Sequence, residues 1–107
     1  MKVFFIGMMG SGKTTLAKKL SELMNKSYVD IDDLIELKEN MSISEIFSKY
    51  GEDYFRKIEN ITLQSIGNSE IIACGGGIII NKNNREFLNE NGFTIYLKTS
   101  LPLLAKR

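Results

Sequence analysis

A short glycine-rich run near the start of the chain constrains the fold more than any other feature. Residues 7–14 read GMMGSGKT and directly follow the apolar segment VFFI at 3–6. This is the phosphate-binding loop (P-loop) pattern, in which two glycines, a lysine and a serine or threonine stand at fixed spacing. Glycines allow successive backbone N–H groups to turn toward phosphate oxygens, and a helix that follows adds the positive end of its dipole. The run therefore predicts a strand, a loop and a helix that together bind a nucleoside triphosphate.

Two side chains of this run have predicted chemical roles. The Lys13 ammonium can follow the β and γ phosphates during transfer, and the Thr14 hydroxyl is placed to bind Mg²⁺. The alternative is a glycine-rich turn that only joins a strand to a helix, but such turns rarely carry all these residue types in register. An amphipathic helix after the loop favours the first interpretation. Its apolar residues at helical spacing are Leu16, Ala17, Leu20, Leu23 and Met24.

The composition limits the remaining possibilities. A chain of 107 residues corresponds to one domain. Its 14 Lys plus Arg against 13 Asp plus Glu create no strong field for nucleic acid or an anionic membrane. No apolar run is long enough to span a bilayer, so we expect a cytoplasmic protein. Histidine is absent, and the one cysteine, Cys74, is predicted to be a buried apolar residue rather than a nucleophile. Chemistry is therefore expected from carboxylates, cations, backbone groups and Mg²⁺.

Strand and helix patterns alternate along the chain, which is typical of an α/β fold. The predicted strands lie near 2–6, 27–30, 70–74 and 93–97, and the predicted helices near 13–25, 32–39, 42–50, 52–66, 83–90 and from 99 onward. Helical crossovers between strands imply a three-layer α/β/α fold with a mostly parallel sheet and ligands at the carboxyl ends of its strands. The P-loop, Asp30 and residues 75–77 would then share one edge of the sheet.

Local signals refine the helices in the middle of the chain. Ser42 and Glu45 form a capping-box pattern that begins a short helix, and Gly51 is predicted to end it. In the longer helix that follows, the residues predicted to face the core are Tyr54, Ile58 and Ile61. Near the end of the chain, Gly92 predicts a helix end and Pro102 suits the first turn of a last helix.

Three aspartates follow the second predicted strand. Alternation along an extended strand end would place Asp30 and Asp32 on one face and direct Asp33 elsewhere. The first carboxylate could then hold Mg²⁺, and the second could accept a hydrogen bond from a substrate hydroxyl. The alternative is that Asp32 or Asp33 caps a helix, with the acidic residues complementing its dipole. Their position after the second strand of a P-loop protein favours the functional interpretation.

Arg56 and Glu59 lie three residues apart on a predicted helix, a spacing that brings their side chains together. An exposed ion pair of little energetic value is the ordinary explanation for such a pair taken alone. Two nearby aromatic residues, Phe47 and Phe55, could form the wall of a substrate pocket, although phenylalanines at helical spacing usually pack in the core.

The run of three glycines at 75–77 follows an apolar strand and is hard to explain by packing. Glycine costs roughly 0.5 to 1 kcal/mol relative to alanine inside a regular element, so something is expected to approach this backbone closely. A tight turn with positive φ is the structural alternative. A backbone that faces a ligand is favoured slightly, because the P-loop is predicted at the same edge of the sheet.

Taken together, these motifs resemble the shikimate kinase family. They are GMMGSGKTT at 7–15, DID at 30–32, GEDYFR at 51–56 and GGG at 75–77, and their order and spacing all fit. The resemblance implies transfer of the γ-phosphoryl group of ATP to the 3-hydroxyl of shikimate, in aromatic amino-acid biosynthesis. It also implies one kinase core domain over 1–107, with a substrate-binding helical insertion at about 32–66.

The resemblance assigns expected roles to individual positions. Lys13 and Asp32 would act in catalysis, with Asp32 bound to the hydroxyls of shikimate and Arg56 bound to its carboxylate. Arginine suits a carboxylate because its planar fork matches two oxygens. Glu59 would orient Arg56, the backbones of Gly76 and Gly77 would contact the substrate, and Phe47 and Phe55 would flank its ring. The implied ligands of the ATP phosphates are Gly10, Ser11, Gly12, Lys13, Thr14 and Thr15, and those of Mg²⁺ are Thr14 and Asp30.

The resemblance also shows a departure, because members of the family continue past residue 107. Their further segments include an arginine-bearing lid, a second carboxylate-binding arginine, an adenine loop, and a final strand and helix. A transition-state arginine contributes roughly 10³ to 10⁵ in rate, so we expect little activity from these 107 residues alone. We also expect association through an unprotected strand near 93–97 that carries Ile95 and Leu97. The complete form is expected to be a monomer.

Two alternatives remain open from the residues. One is another P-loop kinase of small molecules, acting on gluconate or a nucleoside monophosphate. Asp32, Arg56 and the triple glycine argue against it. The other is an ATP-binding module without catalysis, which the missing lid suggests and nothing else in the sequence supports.

Overall fold

The computed structural model describes residues 2–7 and 13–97, with the backbone alone for residues 13 and 14. The strands are β1 (Lys2–Gly7), β2 (Tyr28–Asp30), β3 (Ile71–Gly75) and β4 (Gly92–Leu97). The helices are α1 (Lys13–Met24), α2 (Ile31–Glu39), α3 (Ile43–Tyr50), α4 (Glu52–Gln64) and α5 (Lys82–Asn91), and a 3₁₀ helix spans Gly76–Ile80. The predicted α/β fold is confirmed. The helix predicted from residue 99, with Pro102, lies outside the described residues.

The four strands form one sheet in the order β2-β3-β1-β4, and every pair is parallel. Asp30 at the end of β2 pairs with Ala73, and Gly75 at the end of β3 pairs with Gly7. Because the strands are parallel, their carboxyl ends meet at the same edge of the sheet. The predicted meeting of the β1, β2 and β3 ends at one edge is therefore confirmed.

Helices cover the two faces of the sheet unequally. In β1, Phe4 and Ile6 point into a large core shared with α2, α3, α4 and α5, whereas Phe5 points the other way. On that second face Phe5 packs with Ala17 of α1, and Leu16 and Leu20 lie beside them. This alternation along a strand with period two builds three layers from one sheet. Cys74 lies in the large core, as predicted.

The apolar stripe of α1 is shorter than predicted. Leu16, Ala17 and Leu20 contact the sheet, but the side chain of Leu23 is 83% exposed and Met24 is half exposed. Within the described residues, the last turn of α1 therefore extends beyond the core on this face of the sheet.

The buried face of α4 differs from the prediction at one of three positions. Tyr54 and Ile58 are partly buried and pack against the core as predicted, whereas Ile61 is 45% exposed. The fully buried residues of this helix are Phe55, Glu59, Thr62 and Leu63. A pattern based on apolar residues alone cannot predict this face, because a glutamate occupies one of its central positions.

The junctions of the middle helices follow the predicted capping signals. The Ser42 hydroxyl accepts a hydrogen bond from the Glu45 N–H at 3.2 Å, and Glu45 accepts one from the Ser42 N–H at 3.1 Å. This confirms the capping box. Gly51 has φ of 88°, a value that favours glycine, and it both ends α3 and precedes α4. None of the helices in the described part is long and apolar enough to cross a membrane.

Candidate active site

Asp30 begins the site at the end of β2. Its Oδ1 accepts a hydrogen bond from the Asp33 N–H at 3.2 Å, so Asp30 is the N-cap of α2. The helix follows the strand without a loop, and Asp32 and Asp33 lie in its first turn. The predicted strand-like alternation of Asp30 and Asp32 is therefore wrong, because helical geometry begins at Ile31. The alternative cap assignments to Asp32 and Asp33 are wrong for the same reason.

Asp32 nevertheless lies at the carboxyl edge of the sheet. A Cβ atom placed on Gly75 would be 3.4 Å from Asp32 Oδ2, so this carboxylate packs against the backbone at the end of β3. Asp30 is itself largely buried at the end of the neighbouring strand. The two carboxylates therefore belong to one region of the molecule, although by helix geometry rather than strand geometry.

Arg56 and Glu59 form a partly buried ion pair on α4. The Arg56 Nη1 and Glu59 Oε1 atoms are 3.0 Å apart, as the spacing predicts. Glu59 is 1% exposed and the side chain of Arg56 is 22% exposed, which excludes an ordinary surface pair. Arg56 Nε also lies 3.4 Å from Glu52 Oε2. The sequence interpretation missed Glu52, although its i,i+4 spacing to Arg56 was a usable signal.

The electrostatics of Glu59 connect these groups. Burial raises the pKa of the Glu59 carboxyl above its ordinary value of 4.5, the ion pair with Arg56 opposes this shift, and the Asp32 carboxylate adds to it. Asp32 of α2 therefore contributes to the electrostatic environment of Glu59, which is buried on α4 beside the Arg56 guanidinium.

The glycine run packs against the Arg56 guanidinium. A Cβ atom on Gly77 would lie 2.5 Å from both Arg56 Nη1 and Nη2, so the guanidinium occupies the space of the missing side chain. None of the three glycines has a left-handed backbone, and residues Gly76–Ile80 form the 3₁₀ helix. The turn with positive φ is therefore excluded. Close approach to the backbone explains Gly77, and the group that approaches is a side chain of this chain.

The two phenylalanines differ in their surroundings. Their ring centroids are 4.8 Å apart. Phe55 belongs to the core, and the Arg56 Cζ atom lies 5.2 Å from the centroid of its ring. Phe47 remains 37% exposed. The guanidinium of Arg56 therefore packs on the buried ring of Phe55, whereas the ring of Phe47 is partly accessible to solvent.

The structure describes the two flanks of the P-loop but not residues 8–12. Gly10, Ser11 and Gly12 lie outside the described residues, as do the side chains of Lys13 and Thr14. The flanks of the loop fit the prediction, since β1 ends at Gly7 and α1 begins at Lys13. Thr15 is exposed in the first turn of α1.

Among the described residues, no group of three or more Cys, Asp or Glu side chains could hold a metal ion. Mg²⁺ at nucleotide sites usually takes one or two carboxylates together with phosphate oxygens and water. Asp30 offers such a ligand, because a carboxylate that accepts one backbone hydrogen bond retains further acceptor capacity.

Comparison with known proteins gives consistent matches over the whole chain. A family model described as shikimate kinase matches residues 9–107. A shikimate kinase from Sulfurihydrogenibium sp. (strain YO3AOP1) is 42% identical over 107 residues, which cover 98% of this chain and 64% of the relative. One from Parabacteroides distasonis is 43% identical, over 99% of this chain and 62% of the relative. A solved structure of shikimate kinase from Acinetobacter baumannii, in complex with shikimate, superposes with a TM-score of 0.86 at 38% identity, covering 99% of this chain and 60% of that one. The chain thus spans somewhat less than two thirds of the length of these relatives.

Proposed function

The chain belongs to the shikimate kinase family, and from this membership we propose that it serves transfer of the γ-phosphoryl group of ATP to the 3-hydroxyl of shikimate. The observation that carries the proposal is the placement of Arg56. Its guanidinium is paired with Glu59 and packed on the Gly77 backbone, and the Asp32 carboxylate packs against Gly75 in the same glycine run. A cation held in this way beside a hydroxyl acceptor suits a small acid with several hydroxyl groups. The relative from Acinetobacter baumannii, which is in complex with shikimate, supports this choice of substrate.

In the proposed complex, Arg56 binds the substrate carboxylate. Arginine presents parallel N–H donors that match two carboxylate oxygens, and Glu59 and Glu52 limit the rotation of its long side chain. Ordering this side chain before binding lowers the entropic cost of association. The Gly77 backbone lies close to the guanidinium, and the Gly76 and Gly77 backbones are proposed to supply the remaining surface, with Phe47 and Phe55 beside the substrate ring.

Asp32 is proposed to accept the proton of the reacting 3-hydroxyl as its oxygen bonds to the γ-phosphorus of ATP, while the bond from that phosphorus to the bridging oxygen breaks and ADP leaves. General base catalysis of this type typically contributes 10²- to 10⁴-fold in rate. The P-loop residues 10–15 hold the ATP phosphates, and the Lys13 ammonium stabilises charge on the phosphoryl group in transfer. Thr14 and Asp30 are the residues proposed to hold Mg²⁺, which when bound neutralises phosphate charge. We further propose a cytoplasmic monomer that acts on a small molecule rather than on nucleic acid or membrane.

The helical segment at about 32–66, which contains α2, α3 and α4, is proposed as the substrate-binding part of the domain. It contributes Asp32, Arg56 and Glu59, whereas the P-loop belongs to the β1–α1 unit. Substrate and nucleotide would therefore be held by different parts of one core. This division predicts that substitutions in the segment change affinity for shikimate more than affinity for ATP.

Binding assays with three acceptor substrates test the proposal. Shikimate, gluconate and a nucleoside monophosphate are titrated into the chain in the presence of Mg²⁺ and ATP, and the affinity for each is measured by calorimetry. Of the three compounds, we expect only shikimate to bind. The substitution Arg56→Lys should weaken this binding about 10- to 100-fold, because lysine keeps the positive charge but lacks the paired N–H donors of arginine. Preference for gluconate or the nucleotide would reject the substrate. ATP binding without any response to shikimate would instead indicate a non-catalytic nucleotide-binding module.

A further inference from the structure

A row of hydrogen-bonded side-chain amides lies beside the active-site residues and takes no part in the chemistry described above. Asn84 of α5 is fully buried. Its Nδ2 donates to the Ile78 carbonyl at 3.0 Å, and its Oδ1 accepts from Asn60 Nδ2 at 2.7 Å. Asn60 Oδ1 in turn accepts from Gln64 Nε2 at 3.1 Å. These bonds connect α5, the 3₁₀ helix and α4.

The Ile78 carbonyl determines the direction of every hydrogen bond in this row of amides. A backbone carbonyl only accepts, so the Asn84 amide must turn its NH₂ group toward Ile78 and its oxygen toward Asn60. Asn60 must then donate to Asn84, which leaves its own oxygen for Gln64. Each amide therefore has one satisfactory orientation. At the buried end of this network, where the Asn84 amide has a partner on both sides, such satisfied bonds favour one arrangement of the elements that they join.

The same two elements meet again at the guanidinium of Arg56. Asn60 is one turn after Arg56 on α4, and Ile78 directly follows Gly77 in the 3₁₀ helix. The distance from α4 to the glycine backbone is thus controlled at two adjacent points, by amide bonds at one and by the packing of Arg56 on Gly77 at the other. Arg85 of α5 adds an exposed contact, because its Nη1 donates to the Ile79 carbonyl at 2.6 Å.

We propose that Asn84 and Asn60 are positioning residues, which hold the Gly76–Ile80 backbone at the distance from α4 that the Arg56 guanidinium requires to bind a substrate carboxylate. This inference rests on the proposed function for its ligand but not for its geometry. Without the amide bridge, the Ile78 carbonyl loses its buried partner and the 3₁₀ helix is free to move away from α4. The distance between Arg56 and the Gly77 backbone then changes at the carboxylate site. The P-loop is unaffected, because it belongs to β1 and α1.

The test compares Asn84→Ala and Asn60→Ala with Asn91→Ala. The control removes an amide from the same helix α5, where Asn91 Nδ2 donates to the Phe87 carbonyl at 2.7 Å, away from the glycine run. Shikimate and ATP affinities are measured by calorimetry for each folded variant. We expect shikimate to bind about tenfold more weakly to Asn84→Ala and about threefold more weakly to Asn60→Ala, with ATP affinity changed less than twofold. The control should leave both affinities unchanged.

Equal weakening of both ligands would indicate a general structural role and overturn the proposal, as would unchanged shikimate affinity in a folded variant. If Asn84→Ala does not fold, the partly exposed Asn60→Ala decides. If the unsubstituted chain does not bind shikimate, the proposed function fails, and the positioning role is judged without ligand. Amide hydrogen exchange over Gly76–Ile80 and the NMR resonance of the Arg56 Nε–H group should then change in Asn84→Ala and not in Asn91→Ala. Their constancy in Asn84→Ala would refute it.

Discussion

Gly77 is the residue whose identity the structure explains most directly. The Arg56 guanidinium fills the space in which any other residue would have its Cβ atom, at 2.5 Å. Because a guanidinium ends a flexible side chain, an alanine would displace it at low cost to stability and still disturb the carboxylate site. For Gly77→Ala we expect shikimate affinity to fall about 10- to 100-fold, since misplacement by about 1 Å has effects of this size. The melting temperature and ATP affinity should change little. Ile80→Ala, an exposed position of the same 3₁₀ helix, is the matched control.

Glu59 predicts a specific dependence of stability on pH. Its pKa is raised in the folded chain, chiefly by burial, while in the unfolded chain it is near 4.5. Between these two values the folded state binds more protons than the unfolded state, so the free energy of unfolding falls as pH rises. The contribution of one group cannot exceed about 1.4 kcal/mol per pH unit.

Urea unfolding of the unsubstituted chain and of Glu59→Gln, measured from pH 4.5 to 8, tests this expectation. The substitution should remove the part of the pH slope that comes from Glu59, because glutamine does not titrate. Glu52→Gln, which changes the exposed partner of Arg56, should retain the slope. Identical slopes for the unsubstituted chain and Glu59→Gln would show that the carboxyl titrates normally when folded.

Among the elements, α3 is stabilised by its N-cap residue, Ser42. The Ser42 side chain accepts from the Glu45 N–H, and the hydrogen bond that Glu45 accepts from the Ser42 backbone lowers the pKa of the Glu45 carboxyl. Ser42→Ala should lower the free energy of unfolding by about 1 kcal/mol, the usual value for loss of an N-cap. Chemical denaturation measures this, with the exposed mid-helix substitution Ser48→Ala as a control that should be neutral or slightly stabilising. Equal effects of the two substitutions would exclude a contribution of the cap.

The errors in the predicted elements have a common physical origin. The signals for the start and end of α3, at Ser42 and Gly51, were reliable because capping is a local interaction. The buried faces were less predictable. The sequence alone suggested Ile61 for the core, and a surface ion pair was the ordinary explanation for Glu59 and Arg56 taken alone, but a glutamate is buried where a neighbouring arginine pairs with it. Such compensation depends on a three-dimensional contact.

At the scale of the molecule, binding and folding are linked. The four-stranded sheet and its two cores unite the P-loop flanks and the Arg56 region in one domain. A ligand that binds only the folded state, at one hundred times its Kd, adds about 2.7 kcal/mol to stability. For a domain of about 100 residues this corresponds to a rise of roughly 10 °C in melting temperature. We expect shikimate and Mg²⁺ with ATP each to produce such a rise in thermal unfolding monitored by circular dichroism. Gluconate serves as the negative control, and a rise with ATP alone would contradict a kinase site for shikimate.

The amino-acid sequence by itself determined the α/β class, the order of the elements, the capping of α3 and the pairing of Arg56 with Glu59, because each depends on residues close together in the chain. It also indicated the family, since several short motifs occur in one order. The tertiary structure was needed to show that Asp32 lies against Gly75 and that Gly77 leaves space for Arg56. The burial of Asn84 also could not be predicted from the sequence. These features join elements that are distant in sequence, and their distances depend on how the helices pack against the sheet.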